Sequence, residues 1–249
     1  MIKQALDKTY QELLHLQDER ALWRGELSSS ALATAVAISA LTIIDQKKNA
    51  AQIQSGLAWL KKDQNSDGGW GDSPESVSNL STTLLVRAAF QLAEEKAETV
   101  VSKAEEYITK AAGPTPTERV NTLLELYAPD KTFAVPILAN LALAGLVPWE
   151  QIPPLPFELS LLPRFLYRFV KMEVVSYALP ALIAVGQLLA IKGRGGFLRR
   201  LFVWPALRVL TGTQPENGGF LEATPLTAFV SMSLAATGYK EHIVVKRGL

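Results

Sequence analysis

One short pattern occurs three times in this chain and constrains its fold more than any other feature. The pattern is a leucine, a glutamine four residues later, a small residue after four more, and an aromatic residue two beyond that. The three copies are Leu13, Gln17, Ala21 and Trp23; Leu60, Gln64, Gly68 and Trp70; and Leu210, Gln214, Gly218 and Phe220. The glutamines are 47 and then 150 residues apart, which leaves room for two further units that lack the pattern. A period of about 50 residues is typical of stacked helical hairpins.

The rest of the sequence predicts helices and no strands. Alanine and leucine dominate, and apolar residues recur three and four positions apart, as on one face of a helix. The clearest predicted helices are Ala31–Ile44, Leu84–Ala93, Glu118–Tyr127, Pro136–Leu146 and Ala228–Ala236. Clusters of Pro, Gly, Ser and Asn separate them, and no stretch alternates with a period of two. We therefore predict an all-α protein.

The repeated pattern has a structural explanation in each of its positions. A glutamine amide at the end of a helix can bond carbonyls there, or groups at the start of a neighbouring helix. A glycine permits the positive φ of a tight turn, and an aromatic ring can pack back over that turn. Serine and threonine residues follow each copy and can cap the next helix. We assign this structural role, and no catalytic one, to Gln17, Trp23, Gln64, Gly68, Trp70, Gln214, Gly218 and Phe220.

Composition excludes several classes of function. The chain has no cysteine, and its two histidines are too few for a histidine-built metal site. The net charge of +1 gives no support for nucleic-acid binding, and the first residues lack the apolar core of a signal peptide. We expect a cytoplasmic protein with no metal, no cofactor and no nucleic-acid partner.

Charge is concentrated in one region. Eight basic residues and one acidic residue lie between positions 160 and 210, on either side of the uncharged stretch 177–191. A helix of that length would be about 22 Å long, which is shorter than a hydrocarbon core of roughly 30 Å. It could be an interior helix or could lie in one leaflet, and the flanking positive charge favours the membrane. We expect segment 160–205 to be membrane-associated.

Three segments in the same order carry a family resemblance. The first runs from Gly56 through Leu60 and Gln64 to Trp70 and resembles the QW motif of squalene–hopene and oxidosqualene cyclases. The second comprises Pro148, Trp149, Pro153, Pro154, Pro156, Phe157, Glu158, Leu159, Leu162 and Pro163, with Val147 in the place of the family's tyrosine. The third runs from Gly218 to Thr227. Taken with the first motif copy and the C-terminal residues, these resemblances run in the family's order from about residue 10 to the end of the chain and resemble the amino-terminal half of a class II terpene cyclase.

The resemblance implies a fold, a substrate and a missing group. It implies an α/α toroid on the membrane surface that takes a polyprene lipid such as squalene, with aromatic walls that stabilise carbocations. The family's acid is an aspartate in an Asp-x-Asp-Asp motif, and this chain contains no such motif. Ala223, Thr224 and Pro225 match a stretch that lines the substrate cavity, although Thr224 could equally cap a helix with Pro225 in its first turn. Tyr177 and Phe229 are candidate wall aromatics, but ordinary core packing explains them as well.

We expect residues 1–30 to form a helix with the first QW turn, and residues 31–249 to form the toroid. Gly248 and Leu249 match Gly56 and Leu57, so we expect a toroid that is incomplete at its C-terminal end and open along one side. A second polypeptide would then supply the Asp-x-Asp-Asp half, and this chain would be one component of an isomerase that is inactive alone. The alternative is a non-catalytic toroid that binds or carries an isoprenoid lipid. Prenyltransferase subunits need a zinc site and toroid glycosidases need two placed carboxylates, so both fit less well.

Overall fold

The protein is all-helical in a computed structural model, which describes residues 1–25, 27–162, 178–193 and 197–249, without the side chains of Phe197 and Glu222. These parts contain no β-strand. The α-helices are α1 (Ile2–His15), α2 (Ala31–Asp45), α3 (Ala50–Lys62), α4 (Leu80–Leu92), α5 (Glu98–Ala112), α6 (Pro116–Leu126), α7 (Ala134–Leu143), α8 (Leu179–Lys192), α9 (Phe197–Arg200), α10 (Val203–Thr213), α11 (Thr224–Ala236) and α12 (Ile243–Arg247). Short 3₁₀ helices lie at Trp149–Gln151, Phe157–Leu161 and Phe220–Glu222. All five helices predicted from the sequence are present, with ends that shift by a few residues.

Five helices form an inner ring. α2 packs on α4, α4 on α7, α7 on α8, α8 on α11, and α11 returns to α2. Other helices lie outside them: α3 packs on α2, α5 on α4, α10 on α8 and α12 on α11, while α6 joins α5 to α7. This arrangement confirms the predicted all-α toroid, and two of its inner helices, α7 and α8, do not directly follow a copy of the motif. The inner ring differs from our expectation in one respect, because α11 contacts α2 and leaves no open side between them.

Inner and outer helices differ as their positions require. The inner helix α7 is buried along almost its whole length, whereas the outer helix α5 buries only the stripe Ala104, Ile108 and Ala112. A helix surrounded by others must be apolar on all sides, and a peripheral helix on one side only. Within the ring, the Asn140 side-chain amide on α7 donates to Ser39 Oγ on α2 at 3.3 Å. The ring interior is therefore filled by side chains at this level.

Helix α8 corrects one prediction. The sequence favoured a membrane-inserted helix at 177–191, but α8 is an inner-ring helix that buries Ala181 and every residue from Ile183 to Ala190. Its uniform apolar character comes from contact with protein on all sides, and that pattern alone does not separate a buried helix from a lipid-facing one. Tyr177 lies outside the described residues. Of the helices that the structure describes, none has both the length and the apolar character needed to cross a bilayer.

Candidate functional site

The second and third motif turns share the same hydrogen bonds. Gln64 Nε2 donates to Gly68 O within the turn and to Val100 O on α5, both at 2.9 Å. Gln214 Nε2 donates to Gly218 O and to Val244 O on α12, again at 2.9 Å. Each glutamine therefore closes its own turn and ties it to the beginning of the next outer helix. In both copies the glutamine thus bonds across the connection between one hairpin and the next.

The turn glycines are required for two reasons. Gly68 and Gly218 have φ values of +87° and +83°, a region that favours glycine. A Cβ at Gly68 would lie 2.4 Å from Lys103 O, and one at Gly218 would lie 1.7 Å from Arg247 O. The missing side chain thus lets the next outer helix approach the turn closely.

The aromatic residues of these two turns are fully buried, and a threonine holds each in place. Trp70 is 1% exposed and Phe220 is 2% exposed. Their backbone N–H groups donate to Thr83 Oγ1 and Thr227 Oγ1, both at 3.0 Å. Sequence reasoning placed both threonines in segments that can cap the next helix and missed their bond to the aromatic residue. One signal in the sequence could have identified them. Each inner helix that follows a motif copy has a threonine as its fourth residue, and Thr34 occupies this position on α2.

The first copy forms its own turn but stays exposed, apart from the described part of the ring. Gln17 Nε2 donates to Ala21 O at 2.9 Å, and Trp23 Nε1 donates to Leu13 O at 2.6 Å. The corresponding bond from Trp70 Nε1 to Leu60 O measures 2.9 Å. However, Trp23 is 51% exposed, and α1 buries none of its residues.

A cavity of about 340 Å³ lies between α2 and α11 and contains two of the predicted site residues. Ala37, Ala40, Leu41 and Ile44 line it from one face of α2, opposite Ala223, Thr224, Thr227, Ala228 and Ser231. The lining is completed by Asn217 and Gly219 of the third motif turn and by the C-terminal residues Arg247, Gly248 and Leu249. Pro225 lies in the first turn of α11, as expected, but it does not line the cavity. Thr224 does not cap α11, because the helix is preceded by Ala223 and has no side-chain cap. Phe229 is half-buried and packs against the core on both sides, so it lies apart from this cavity.

The described side chains that line this cavity include no Asp or Glu. The motif acids have structural partners instead: Asp67 Oδ1 accepts from Gly69 N, and Asp72 Oδ1 accepts from Thr82 Oγ1. Burial raises the pKa of Asp63, which ends α3 and is absent from the cavity lining. The described residues therefore form a cavity wall that contains no carboxylic acid able to donate a proton.

The proline-rich segment at 153–162 is anchored to the ring. Phe157 is buried, and a Cβ on Gly186 of α8 would lie 2.7 Å from the Phe157 Cβ. Glu158 forms an ion pair with Arg199 of α9, and the Arg199 guanidinium stacks over the Phe157 ring at 5.3 Å. These contacts hold α9 against the end of the toroid.

An exposed apolar surface follows directly from α9. We name it the α9–α10 patch; it consists of Leu198, Leu201, Phe202 and Trp204, with Arg200 and Arg208 beside them. Trp204 is 63% exposed, and the Arg208 guanidinium lies 5.5 Å from the centre of its ring. Exposed aromatic and aliphatic side chains among arginines are typical of surfaces that meet lipid.

Comparison with known proteins gives one consistent result. Residues 6–192 match the model of the squalene-hopene cyclase N-terminal domain. The chain is 32% identical over 110 residues to the enfumafungin synthase of Hormonema carpetanum and 28% identical over 141 residues to the squalene hopane cyclase of Aspergillus fumigatus. These alignments cover 44% and 57% of this chain, but only 7% and 17% of those two proteins.

Proposed function

Because the chain belongs to the squalene-hopene cyclase N-terminal domain family, we propose that it is one part of a polyprene cyclase whose proton donor is on a second polypeptide. The reaction would be the isomerisation of a linear polyprene such as squalene to a polycyclic triterpenoid. In this division of labour, the present chain contributes cavity wall and membrane surface, and its partner contributes the Asp-x-Asp-Asp acid.

The observation that carries this proposal is the cavity between α2 and α11. Its lining is mainly small and aliphatic and includes Ala223 and Thr224, with Asn217 and Arg247 as its larger polar residues, and its described side chains include no carboxylic acid. Cyclisation by protonation needs a positioned acid, and stabilisation of the resulting cations needs preorganised surroundings. The cavity is also at the lower end of the range of about 300–1,000 Å³ for ligand pockets, so a long polyprene would require further walls.

The α9–α10 patch supports a role at the membrane surface. A polyprene dissolves in the bilayer interior, so an enzyme that uses it benefits from an apolar surface in contact with lipid. Leu201, Phe202 and Trp204 provide such a surface, and Arg200 and Arg208 can attract anionic headgroups. We assign substrate entry to this patch.

The test is product analysis with two purified polypeptides. Squalene in vesicles is incubated with this chain alone, with a polypeptide that carries Asp-x-Asp-Asp and is encoded beside it, and with both. The proposal predicts cyclic product only from the mixture, and product from this chain alone would contradict it. Retention of squalene by this chain with no product from any mixture would instead favour a lipid-binding toroid.

A further inference from the structure

Ser231 has a buried hydroxyl group that the described structure leaves without a hydrogen bond. It lies on the inner helix α11, is 2% exposed, and lines the cavity between α2 and α11. Its Oγ has no hydrogen-bond partner among the described residues. Burial of an unpaired hydroxyl costs free energy, and alanine would suit this helix position better. We therefore look for its partner in a molecule that enters the cavity.

The neighbouring hydroxyl of Thr227 shows the contrast. Thr227 lies one helical turn before Ser231 and also lines the cavity. Its Oγ1 accepts from the Phe220 N–H at 3.0 Å and donates to Ala223 O at 3.2 Å, so the motif turn uses it both as donor and as acceptor. Ser231 makes no such bonds. The structural role that explains Thr227 therefore does not explain Ser231.

A cation lies close to this hydroxyl along the chain. A Cβ at Gly248 would lie 2.9 Å from Ser231 Oγ, and Arg247 directly precedes Gly248. Arg247 lines the same cavity, and its guanidinium forms no ion pair with a described residue. The first turn of α11 has no side-chain cap and also reaches the cavity, at Thr224. The side chains of the described lining thus carry positive charge and no negative charge, which favours an anion.

The opposite wall of the cavity is apolar. Ala37, Ala40, Leu41 and Ile44 line it from α2, and Ala228 lines it from α11. Its volume of about 340 Å³ can enclose one end of a long chain. A ligand that satisfies both walls has anionic oxygen atoms at one end and hydrocarbon directly beside them.

We propose that this cavity binds the head group of an isoprenoid phosphate or diphosphate. Ser231 Oγ donates to a phosphate oxygen, and Arg247 pairs with the charge of the head group. The first isoprene units lie against the aliphatic face of α2, and the rest of the chain extends toward the acid-bearing polypeptide. This inference names the substrate class of the cyclase and therefore rests on the proposed function. Ring formation started by protonation is an isomerisation, so no bond of the head group is made or broken.

Calorimetric titration of the full chain tests the class of ligand. The probes are farnesyl diphosphate, farnesyl phosphate, farnesol and inorganic diphosphate. Farnesol has the hydrocarbon without the negative charge, and inorganic diphosphate has the charge without the hydrocarbon. We expect at least one of the two phosphate esters to bind about tenfold or more tightly than farnesol or inorganic diphosphate, because only the esters satisfy both walls.

Two variants test the assigned residues. Ser231→Ala should weaken binding of the ester by about tenfold, because a hydrogen bond to a charged group is lost, and should leave farnesol binding unchanged. It should not lower the temperature of unfolding, because the hydroxyl makes no bond within the described protein. Arg247→Gln should weaken ester binding by about fivefold. The control Lys246→Gln removes the same charge one residue earlier, outside the cavity lining, and should bind as the native chain does.

Several results would overturn the inference. These are no binding of either ester, equal binding of farnesol and the esters, unchanged affinity in Ser231→Ala, or an effect of Lys246→Gln as large as that of Arg247→Gln. Equal binding of inorganic diphosphate and the esters would indicate an adventitious anion site only and would also overturn it. Cyclisation of squalene by the mixture of the two polypeptides, with no ester bound, would overturn this inference and support the proposed function. Ester binding that depends on Ser231, with no cyclic product from squalene or from the esters in any mixture, would do the reverse.

Discussion

At the residue scale, the three motif glutamines provide a controlled comparison. Gln214 makes two hydrogen bonds in a buried turn, whereas Gln17 makes one in an exposed turn. We predict that Gln214→Ala lowers the free energy of unfolding by about 1–3 kcal/mol, because two carbonyls lose a donor. The control Gln17→Ala should change it by less than about 0.5 kcal/mol. Urea denaturation measures both, and equal effects would contradict the account of the motif.

The turn glycines permit a similar test. Gly68→Ala introduces both the strain of positive φ and a collision with Lys103 O, whereas Gly145→Ala introduces strain alone, since nothing lies near its Cβ position. The control should lose about 1–2 kcal/mol of stability. We predict at least twice that loss for Gly68→Ala in thermal or urea unfolding. A loss equal to that of the control would mean that the close approach of α5 to the turn contributes nothing.

The role of a single residue was predictable from the sequence where it depends only on the geometry of its own turn. The glutamine, glycine and aromatic positions repeat at constant spacing, so their shared function could be read before the fold was known. Thr83 and Thr227 were not identified, because each bonds the N–H of an aromatic residue in an irregular turn. The number of residues between donor and acceptor differs between the two copies, so the constant feature is the position of each threonine in its own helix and not its distance from the aromatic residue.

At the element scale, the imidazole of His242 caps the N-terminal end of α12. His242 Nδ1 accepts from Val244 N at 3.3 Å, and burial lowers the pKa of His242 below its ordinary value of 6.5. Since only the neutral ring accepts this bond, its stabilising effect is complete above the unfolded-state pKa of about 6.5. It is lost as the pH falls through the lower folded-state pKa.

We therefore predict that stability decreases below about pH 6.5 in the native chain. His242→Asn keeps a side-chain cap that does not titrate in this range and should remove that decrease. His15→Gln, on exposed α1, should retain it. Unfolding measured between pH 5 and pH 8 provides the comparison, and an unchanged pH profile in His242→Asn would exclude this explanation.

The α9–α10 patch makes a prediction about lipid. Leu201→Ser and Trp204→Ser each remove an exposed apolar side chain, and each should weaken binding to anionic vesicles by roughly 1 kcal/mol or more. The control Val77→Ser changes a residue that is 86% exposed in a motif turn and should bind as the native chain does. Added salt should weaken binding of all variants through the arginines. Co-sedimentation measures this, and equal binding by all three variants would argue against a lipid-facing patch.

The helices were predicted well where the spacing of apolar residues identifies a helix. The prediction was less good where the position of a helix, inside the protein or in lipid, depends on what surrounds it. α2, α4, α6, α7 and α11 follow from apolar spacing and from nearby turn residues. α8 was assigned to the membrane because an inner-ring helix and a lipid-facing helix have the same apolar composition. The structure separates them, because α7, α10 and α11 surround α8 with protein.

At the scale of the whole molecule, closure of the ring was beyond sequence reasoning. The contact between α2 and α11 joins helices at opposite ends of the chain, and no local pattern encodes that distance. The sequence did indicate the toroid, the number of motif-free units and the absence of an Asp-x-Asp-Asp acid. It did not show that α12 packs on α11, where Gly248 meets Thr227 and Ser231.

The most direct test of the central claim concerns the wall of the cavity between α2 and α11. Thr224→Phe narrows this cavity at an exposed residue of α11, and Val77→Phe adds the same ring on a distant turn. Each variant is mixed with the acid-bearing polypeptide, and the cyclic products from squalene are quantified together with complex formation. We predict that Thr224→Phe changes the product ratio or abolishes turnover while the complex persists, and that Val77→Phe behaves as the native chain does. Identical products at identical rates from both mixtures would contradict the claim that this chain forms part of the substrate cavity.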